Sequence, residues 1–202
     1  MVRVGPLRQE EIAPAAELLA ASMRDNPLHR RVFGADESRL QGLLAAAFIA
    51  LLRLRMRDGR VLAAHRRECL VGVLAMAPPG RCRPEAGFHL HMLALLARHR
   101  ALARLPRILR WLAAWRRMEP AIRHWHLGPA AVERACQGQG IGTALMAAAC
   151  AELDRMGDAG YLETDKDANV RLYRRGGFEV IAAQEVLGVR NWFMLRPPRP
   201  AD

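Results

Sequence analysis

Lysine is almost missing from this chain: of its 31 basic residues only Lys166 is a lysine, and the others are arginine. Against 20 acids they leave a formal net charge of +11. So one-sided a choice is that of GC-rich coding sequence, and part of the charge is compositional. The charge nevertheless draws polyanions toward the surface. The arginines are scattered, densest over residues 98–117, with no recognition-helix signature, no zinc pattern and no interleaving of aromatic and basic residues; nucleic acid is not the expected partner. No apolar run reaches the ~18–20 residues of a membrane span, and Met1-Val2-Arg3-Val4-Gly5-Pro6 lacks the apolar core of a signal peptide. The four cysteines, Cys69, Cys82, Cys136 and Cys150, make no C-x-x-C pair and no metal-ligand spacing. No metal is expected, and they read as reduced thiols of a cytoplasmic protein. No internal repeat and no linker divides the chain.

What is present is 202 residues, 51% of them hydrophobic, enough for one domain with a core of its own. Residues 2–7 read as a first strand. Helical periodicity follows over 10–23, with Ile12, Ala16, Leu19 and Met23 on one face. Asp25-Asn26-Pro27 stops it, because Pro27 biases Asn26 away from the helical region, and a loop is expected to about Asp36. A second helix is expected over 37–57, with Asp36 as its cap and Leu40, Leu44, Ala47, Leu51 and Leu54 inward. Residues 60–65 and 69–77 form an antiparallel hairpin. The stretch 88–118 is helical and broken near Pro106. Residues 125–132 are the next strand.

The most informative stretch is Gln137-Gly138-Gln139-Gly140-Ile141-Gly142-Thr143, lying between that strand and a run rich in strong helix formers, 144–153. A helix start carries backbone N–H groups without partners and the positive end of the helix dipole, and glycines let those groups approach a ligand closely. The product is a phosphate cradle. It is not the nucleotide-triphosphatase loop, since Gly142 is followed by Thr143 with no lysine. It is not the dinucleotide fingerprint either, since the spacing is G-x-G-x-G and the loop lies two-thirds along the chain.

Read as Q-x-x-G-x-G from Gln137 to Gly142, the loop resembles the pyrophosphate loop of the GCN5-related N-acetyltransferases, the GNAT superfamily. Downstream, Tyr161-Leu162-Glu163-Thr164, then Asn169, Tyr173 and Gly176-Gly177-Phe178, resemble the second half of the same family. With His124-Trp125-His126-Leu127 and Asn191-Trp192-Phe193-Met194, the pattern is most similar to the puromycin acetyltransferase-like branch. The resemblance is specific over 124–196 and limited to the order of elements over 1–122. It implies an α/β fold with a mixed, mostly antiparallel twisted sheet, helices on both faces and a splay between the two central strands. It implies one bacterial N-acetyltransferase domain over 1–202: an acceptor-side half (1–122), an acetyl-CoA-binding half (123–196) and a tail (197–202). It also implies acetyl-CoA as cosubstrate, its pyrophosphate on Gln137, Gly138, Gln139, Gly140, Ile141, Gly142 and Thr143.

Gly128-Pro129 supplies a physical cause for the splay. Pro129 has no N–H for a ladder and Gly128 tolerates a bulge, so Ala130 and Val132 are left to pair with the amides of pantetheine as an added strand would. The Val132 N–H is also a candidate to polarise the thioester carbonyl. By the resemblance, Tyr173 protonates the departing sulfur of coenzyme A and Asn169, four residues before it on the same helix face, holds the cofactor arm; Asp167 is the expected cap of that helix. A phenol of pKa ~10 giving a proton to a thiolate of ~8.5 goes uphill by roughly 2 kcal/mol. Glu163 is the expected general base, directly or through a water, with Asp165 two residues on along the same face; His126, with His124 on its face, and a water chain are the alternatives. The acceptor pocket is expected from the 23–33 loop, the 88–118 helical region and Trp192-Phe193, with Asp25 as a possible partner for a cationic amine and Trp111, Trp115 and Trp192 as walls. The acceptor is expected to be a small-molecule amine, and the protein a monomer or homodimer. The competing readings are a non-catalytic acyl-CoA-binding regulatory module, against which Asn169 and Tyr173 argue, and a basic nucleic-acid binder.

Overall fold

The computed structural model describes residues 1–34 and 37–199. The expected cap Asp36 and, from the expected tail, residues 200–202 lie outside them. Among the described residues, no helix is long and apolar enough to cross a membrane. Seven strands, β1 (Val2–Pro6), β2 (Arg60–Arg66), β3 (Cys69–Ala77), β4 (His124–Val132), β5 (Ala159–Thr164), β6 (Glu179–Val186) and β7 (Val189–Arg196), form one sheet in the order β1-β2-β3-β4-β5-β7-β6. Every pairing is antiparallel except β4 with β5. This is the expected mixed, mostly antiparallel sheet.

Among the described residues, seven α-helices cover its two faces: α1 (Ile12–Met23), α2 (Pro27–Phe33), α3 (Glu37–Asp58), α4 (Ala86–Arg98), α5 (Leu105–Met118), α6 (Ile141–Met156) and α7 (Asp167–Arg175). The strand period of two sorts the core into two layers. Val61 and Ala63 of β2 and Val73 and Ala75 of β3 pack with α1 and α3. Their neighbours Leu62, Ala64, Leu74 and Met76 pack with α6 and α7. At Gly160 α6 packs close on the sheet: a Cβ there would stand 2.6 Å from Leu153 Cδ1 and 3.1 Å from a ring carbon of Phe178.

Four expectations need correction. The loop expected after Asp25-Asn26-Pro27 is helix α2. Asn26 does leave the helical region (φ −75°, ψ 122°), but there its side chain accepts from the His29 N–H at 3.0 Å and Pro27 sits in the first turn. The residues that end α1 thus cap the next helix. On α3 the inward stripe is Leu40, Leu44, Phe48 and Leu52, four apart throughout, while Ala47, Leu51 and Leu54, expected on steps alternating between four and three, are half-buried; over a 22-residue helix the two spacings diverge onto different faces. The break in the 88–118 stretch falls at residues 99–104, and Pro106 opens α5, where its missing N–H costs nothing. Asp167 lies inside the first turn of α7 and pairs with Arg171; the N-cap is Lys166, with no side-chain cap, and Thr164 Oγ1 accepts from the Lys166 N–H and from Asn169 Nδ2.

A buried ion pair fastens α1 to the sheet. Glu11 accepts from Arg8 Nη2 at 2.8 Å and from the Arg8 N–H at 3.0 Å, and lies 2.6 Å from His65 Nε2 on β2. Burial works against its charge, but Arg8 and His65 outweigh it and draw its pKa from 4.5 down to about 2. A depressed carboxyl stabilises the fold above its ordinary value and stops doing so as the pH falls through the depressed one. Glu11→Gln is expected to cost about 1–3 kcal/mol in urea unfolding at pH 7, and the wild-type excess over the variant is expected to shrink steadily between pH 4.5 and 2. An equal gap at both ends would contradict this.

Candidate active site

The site begins where the sheet opens. β4 and β5 pair only through His124–Ala159, Trp125–Gly160 and His126–Tyr161. Beyond them, β4 bulges against β3: Met76 pairs with Leu127 and Leu74 with Ala130, so one extra residue of β4 is taken up across Gly128-Pro129. Gly128 stands at φ 143°, which a side chain would strain, and the Gly128–Pro129 peptide is cis. The Glu133 N–H donates to Val71 O at 2.9 Å. Strand alternation then turns the groups of Ala131 toward β3 and those of Ala130 and Val132 toward the gap. The splay expected at Gly128-Pro129 is present.

The glycine loop stands at the mouth of that gap. Gly138 (φ 74°) and Gly140 (φ 81°) are left-handed, and Gly140 is the N-cap of α6. The first bond of the helix is from the Ala144 N–H to Gly140 O, at 2.9 Å, and no side chain caps it. The N–H groups of Ile141, Gly142 and Thr143 are therefore free to meet an anion at the positive end of a 16-residue helix. The glutamines brace the loop. Gln137 Nε2 donates to Val132 O at 3.1 Å; Gln139 Nε2 donates to Ala135 O at 3.1 Å while its Oε1 accepts from Arg66 at 2.6 Å. Gln139 alone of the seven expected loop residues does not line the cleft.

That cleft, about 610 Å³, runs from Gln137, Gly138, Gly140, Gly142 and Thr143 past Ala130 and Val132 to Asn169 and Tyr173. Lys166 and Arg175 also line it, two cations that sequence reasoning passed over because neither stands in the glycine motif. A second pocket, about 300 Å³, meets it at Asn26, Ala130, Asn169 and Tyr173. Its walls are Leu28 and His29 of α2, Phe48 and Leu51 of α3, and Trp111, Leu112 and Trp115 of α5. The rings of Trp111 and Trp115 meet edge-on at 5.1 Å, and Trp115 Nε1 donates to Asn191 Oδ1 at 3.0 Å. Burial, helped by Lys166, pushes the His29 pKa down to about 4, so its ring is neutral at pH 7. α3 was not among the expected walls. Trp192 does not line this pocket; it packs on the core beneath Arg190. Asp25 is half-exposed on the surface and pairs with Arg134 at 3.1 Å.

Glu163 and His126 form the pocket's titratable pair. His126 stands on the last rung before the splay, opposite Tyr161, and Glu163 two residues further along β5; they meet at 2.7 Å, Nε2 to Oε2. Burial disfavours charge on the His126 ring, but the Glu163 carboxylate outweighs it and holds the pKa above its ordinary value. Tyr161 lies between His124 and His126, edge-on to both rings; burial and the Glu163 carboxylate push its phenol up. Asp165 is committed elsewhere: it accepts from Asn26 Nδ2 and the Leu28 N–H, both at 2.7 Å, and so pins α2 over the pocket. Tyr173 stands where the two cavities join; burial, with Asp165 and Glu163 adding, pushes its pKa up to about 12.

Comparison with known proteins agrees with this geometry. Residues 106–180, from α5 into β6, match the family model of the acetyltransferase (GNAT) domain. Among solved structures, histone acetyltransferase HPA2 and related acetyltransferase from Corynebacterium glutamicum superposes with a TM-score of 0.72 at 20% identity, over 98% of this chain and 97% of that one. A phosphinothricin acetyltransferase from Sinorhizobium meliloti, solved in complex with AcCoA, gives 0.63 at 13% identity, over 98% and 88%. A ribosomal-protein-alanine N-acetyltransferase from Brucella melitensis gives 0.60 at 18%, over 96% and 99%. At these identities the likeness is one of fold.

The carboxylate–imidazole pair is testable by itself. In an NMR titration the His126 ring is expected to lose its proton above pH ~6.5 in the wild type and below that in Glu163→Gln, where burial acts unopposed. A His126 midpoint that does not move on this substitution would contradict the pairing.

Proposed function

We propose that this protein is an acetyl-CoA-dependent N-acetyltransferase that moves the acetyl group to a primary amine by direct attack on the thioester. The observation that carries the reading is the junction of the two cavities. An elongated cleft with an anion-binding helix start at one end and free strand groups along its side meets an aromatic-walled pocket at Tyr173. Acetyl-CoA is the donor of the GNAT acetyltransferases, and its shape suits the cleft. The pyrophosphate lies on Gly138, Gly140 and the N–H groups of Ile141, Gly142 and Thr143, near Lys166 and Arg175. The pantetheine amides pair with Ala130 and Val132 in the gap left by β5. Asn169, steadied by Thr164, steers the arm.

In this reading the amine enters from the aromatic pocket and loses its proton to Glu163, directly or through one water, with His126 balancing the charge. As nitrogen attacks the carbonyl carbon, the carbonyl oxygen accepts a hydrogen bond from the Val132 N–H. The C–S bond then breaks and the sulfur leaves toward Tyr173. With its pKa near 12, Tyr173 is a weak acid: full transfer to a thiolate of ~8.5 costs roughly 5 kcal/mol, against ~2 for an ordinary phenol. Tyr173 therefore acts first as a hydrogen-bond donor to the developing thiolate. The proton passes over as the new amide nitrogen sheds its own, which restores the Tyr173 phenol, and the proton taken by Glu163 leaves to solvent.

The acceptor is read as a small molecule because α2 and α5 roof the pocket and its volume is modest. Trp111, Trp115, Leu28 and Phe48 favour an apolar body, and Glu163 is the carboxylate left for the amine once Asp165 is committed to α2. The puromycin acetyltransferase-like branch rests on the motifs of 124–196, and a cytoplasmic place on the four free thiols.

Calorimetry of the CoA-stripped protein is expected to show one acetyl-CoA per chain. Gly140→Asp is expected to weaken binding at least tenfold, since its carboxylate faces the pyrophosphate from a strained left-handed position. Tyr173→Phe is expected to keep acetyl-CoA affinity within about threefold and to lower kcat on any accepted amine about 10²-fold or more. Failure of the folded wild type to bind acetyl-CoA would refute the reading. Unchanged kcat in Tyr173→Phe would remove Tyr173 from the chemistry.

A further inference from the structure

We propose that Cys82 Sγ, Glu119 Oε1 and His124 Nε2 form a binding site for a thiophilic divalent cation, Zn2+ being the best fit. The three come from separate segments: the turn between β3 and α4, the residue that ends α5, and the first residue of β4. Their ligand atoms all lie within 4.8 Å of one another. His124 Nε2 is 3.8 Å from Cys82 Sγ and 3.7 Å from Glu119 Oε1. A tetrahedral zinc, with Zn–S ~2.3 Å and Zn–N and Zn–O ~2.0 Å, sets S and N roughly 3.5 Å apart and N and O roughly 3.3 Å apart. A contraction of a few tenths of an ångström thus fits His124 Nε2 to each of its two partners around one ion, and the third pair, Cys82 Sγ and Glu119 Oε1, lies within 4.8 Å and has the most to close.

Two features prepare the ligands. His124 Nδ1 lies 2.8 Å from the carbonyl oxygen of Ile122. The ring donates its N–H there, which leaves the Nε2 lone pair directed at the other two groups, as second-sphere carbonyls do for metal-bound histidines. Glu119 Oε2 is held by Arg83, at 2.6 Å from Nη2 and 3.1 Å from Nε. The carboxylate is oriented and its Oε1 is left for the ion. His124 is only 5% exposed, so this is not a loose surface cluster. Cys82 Sγ lies 3.7 Å from Pro78 O and 3.8 Å from His124 Nε2.

The step balances simply. The Cys82 thiol releases its proton to solvent as the metal–sulfur bond forms; thiolate and carboxylate then neutralise the dication, and a water from its hydration shell keeps the fourth position. Burial, which pushes the Cys82 thiol up to about 11, is the cost the metal–sulfur bond must overcome. None of the three residues lines the aromatic pocket. The ion's work is structural: it ties the β3–α4 turn and the end of α5 to β4, two residues before His126.

The test is a Co2+ titration of the full-length, reduced, metal-stripped protein. One Co2+ per chain is expected, with a thiolate-to-cobalt charge-transfer band that one equivalent of Zn2+ abolishes. Cys82→Ser is expected to remove the band. Glu119→Gln and His124→Gln are each expected to weaken Co2+ at least tenfold, with far-UV circular dichroism unchanged. Cys69→Ser/Cys136→Ser, which removes the exposed thiol and one as accessible as Cys82, is expected to retain it. No saturable band in folded wild type, or a band that survives Cys82→Ser, would overturn the proposal.

Discussion

The parting of β4 from β5 is the constraint on which the rest of the structure depends. Two parallel strands that pair at His124, Trp125 and His126 would ordinarily continue to pair. Here β4 takes up an extra residue against β3 at Gly128-Pro129, and Pro129 has no N–H to offer. What opens is a wedge whose floor is the His126–Tyr161 rung and whose sides carry unladdered backbone. Because β5 stays zipped to β7 on its far side, from Gly160–Arg196 to Thr164–Trp192, the wedge does not unravel the sheet. Its two entrances become the two cavities, one closed by the glycine loop and α6, the other by α2 and α5.

Electrostatics divides the labour among the acids around that wedge. Asp165 spends both oxygens on Asn26 and Leu28 and so behaves as a structural clasp for α2. Glu163, two residues earlier, has His126 as its partner. Arg55, buried at the pocket's edge, donates through Nη1 and Nη2 to the carbonyls of Arg81 and Cys82 at 3.0 and 3.1 Å. Under the acetyl-transfer reading this leaves one carboxylate for the incoming amine, beside a neutral His29 and apolar walls. Tyr173, between the two cavities, is kept as a phenol by the same burial that walls off the pocket.

The second half of the chain was more legible than the first, and for a physical reason. A loop that presents backbone to a ligand must spell itself in glycine, and a break in a ladder in proline, so Gly138, Gly140 and Gly128-Pro129 announce their conformations. The floor of the site was legible too: Glu163 and His126 were each singled out, although their direct pairing depends on the β4–β5 register, which local pattern does not carry. α2 was missed because Asn26-Pro27 ends one helix and begins another with the same residues. Phe48, Leu51 and Arg55 were missed as pocket walls because Phe48 serves the core and the pocket at once and Leu51 and Arg55 flank the core stripe of the same long helix. The Cys82–Glu119–His124 cluster carries no ligand spacing, since three separate segments supply one group each.

The central claim is that the groups freed at the splay and at the start of α6 are the acyl-CoA-binding surface. Amide NMR of the 15N-labelled protein during titration with coenzyme A tests it most directly. The account predicts that the largest shifts fall together on Ala130, Val132, Gly138, Gly140, Ile141, Gly142 and Thr143 and saturate at one equivalent. Shifts scattered over the arginine-rich surface, fading with added salt and leaving those amides unmoved, would contradict it: the cleft would then be a feature of the fold without its function.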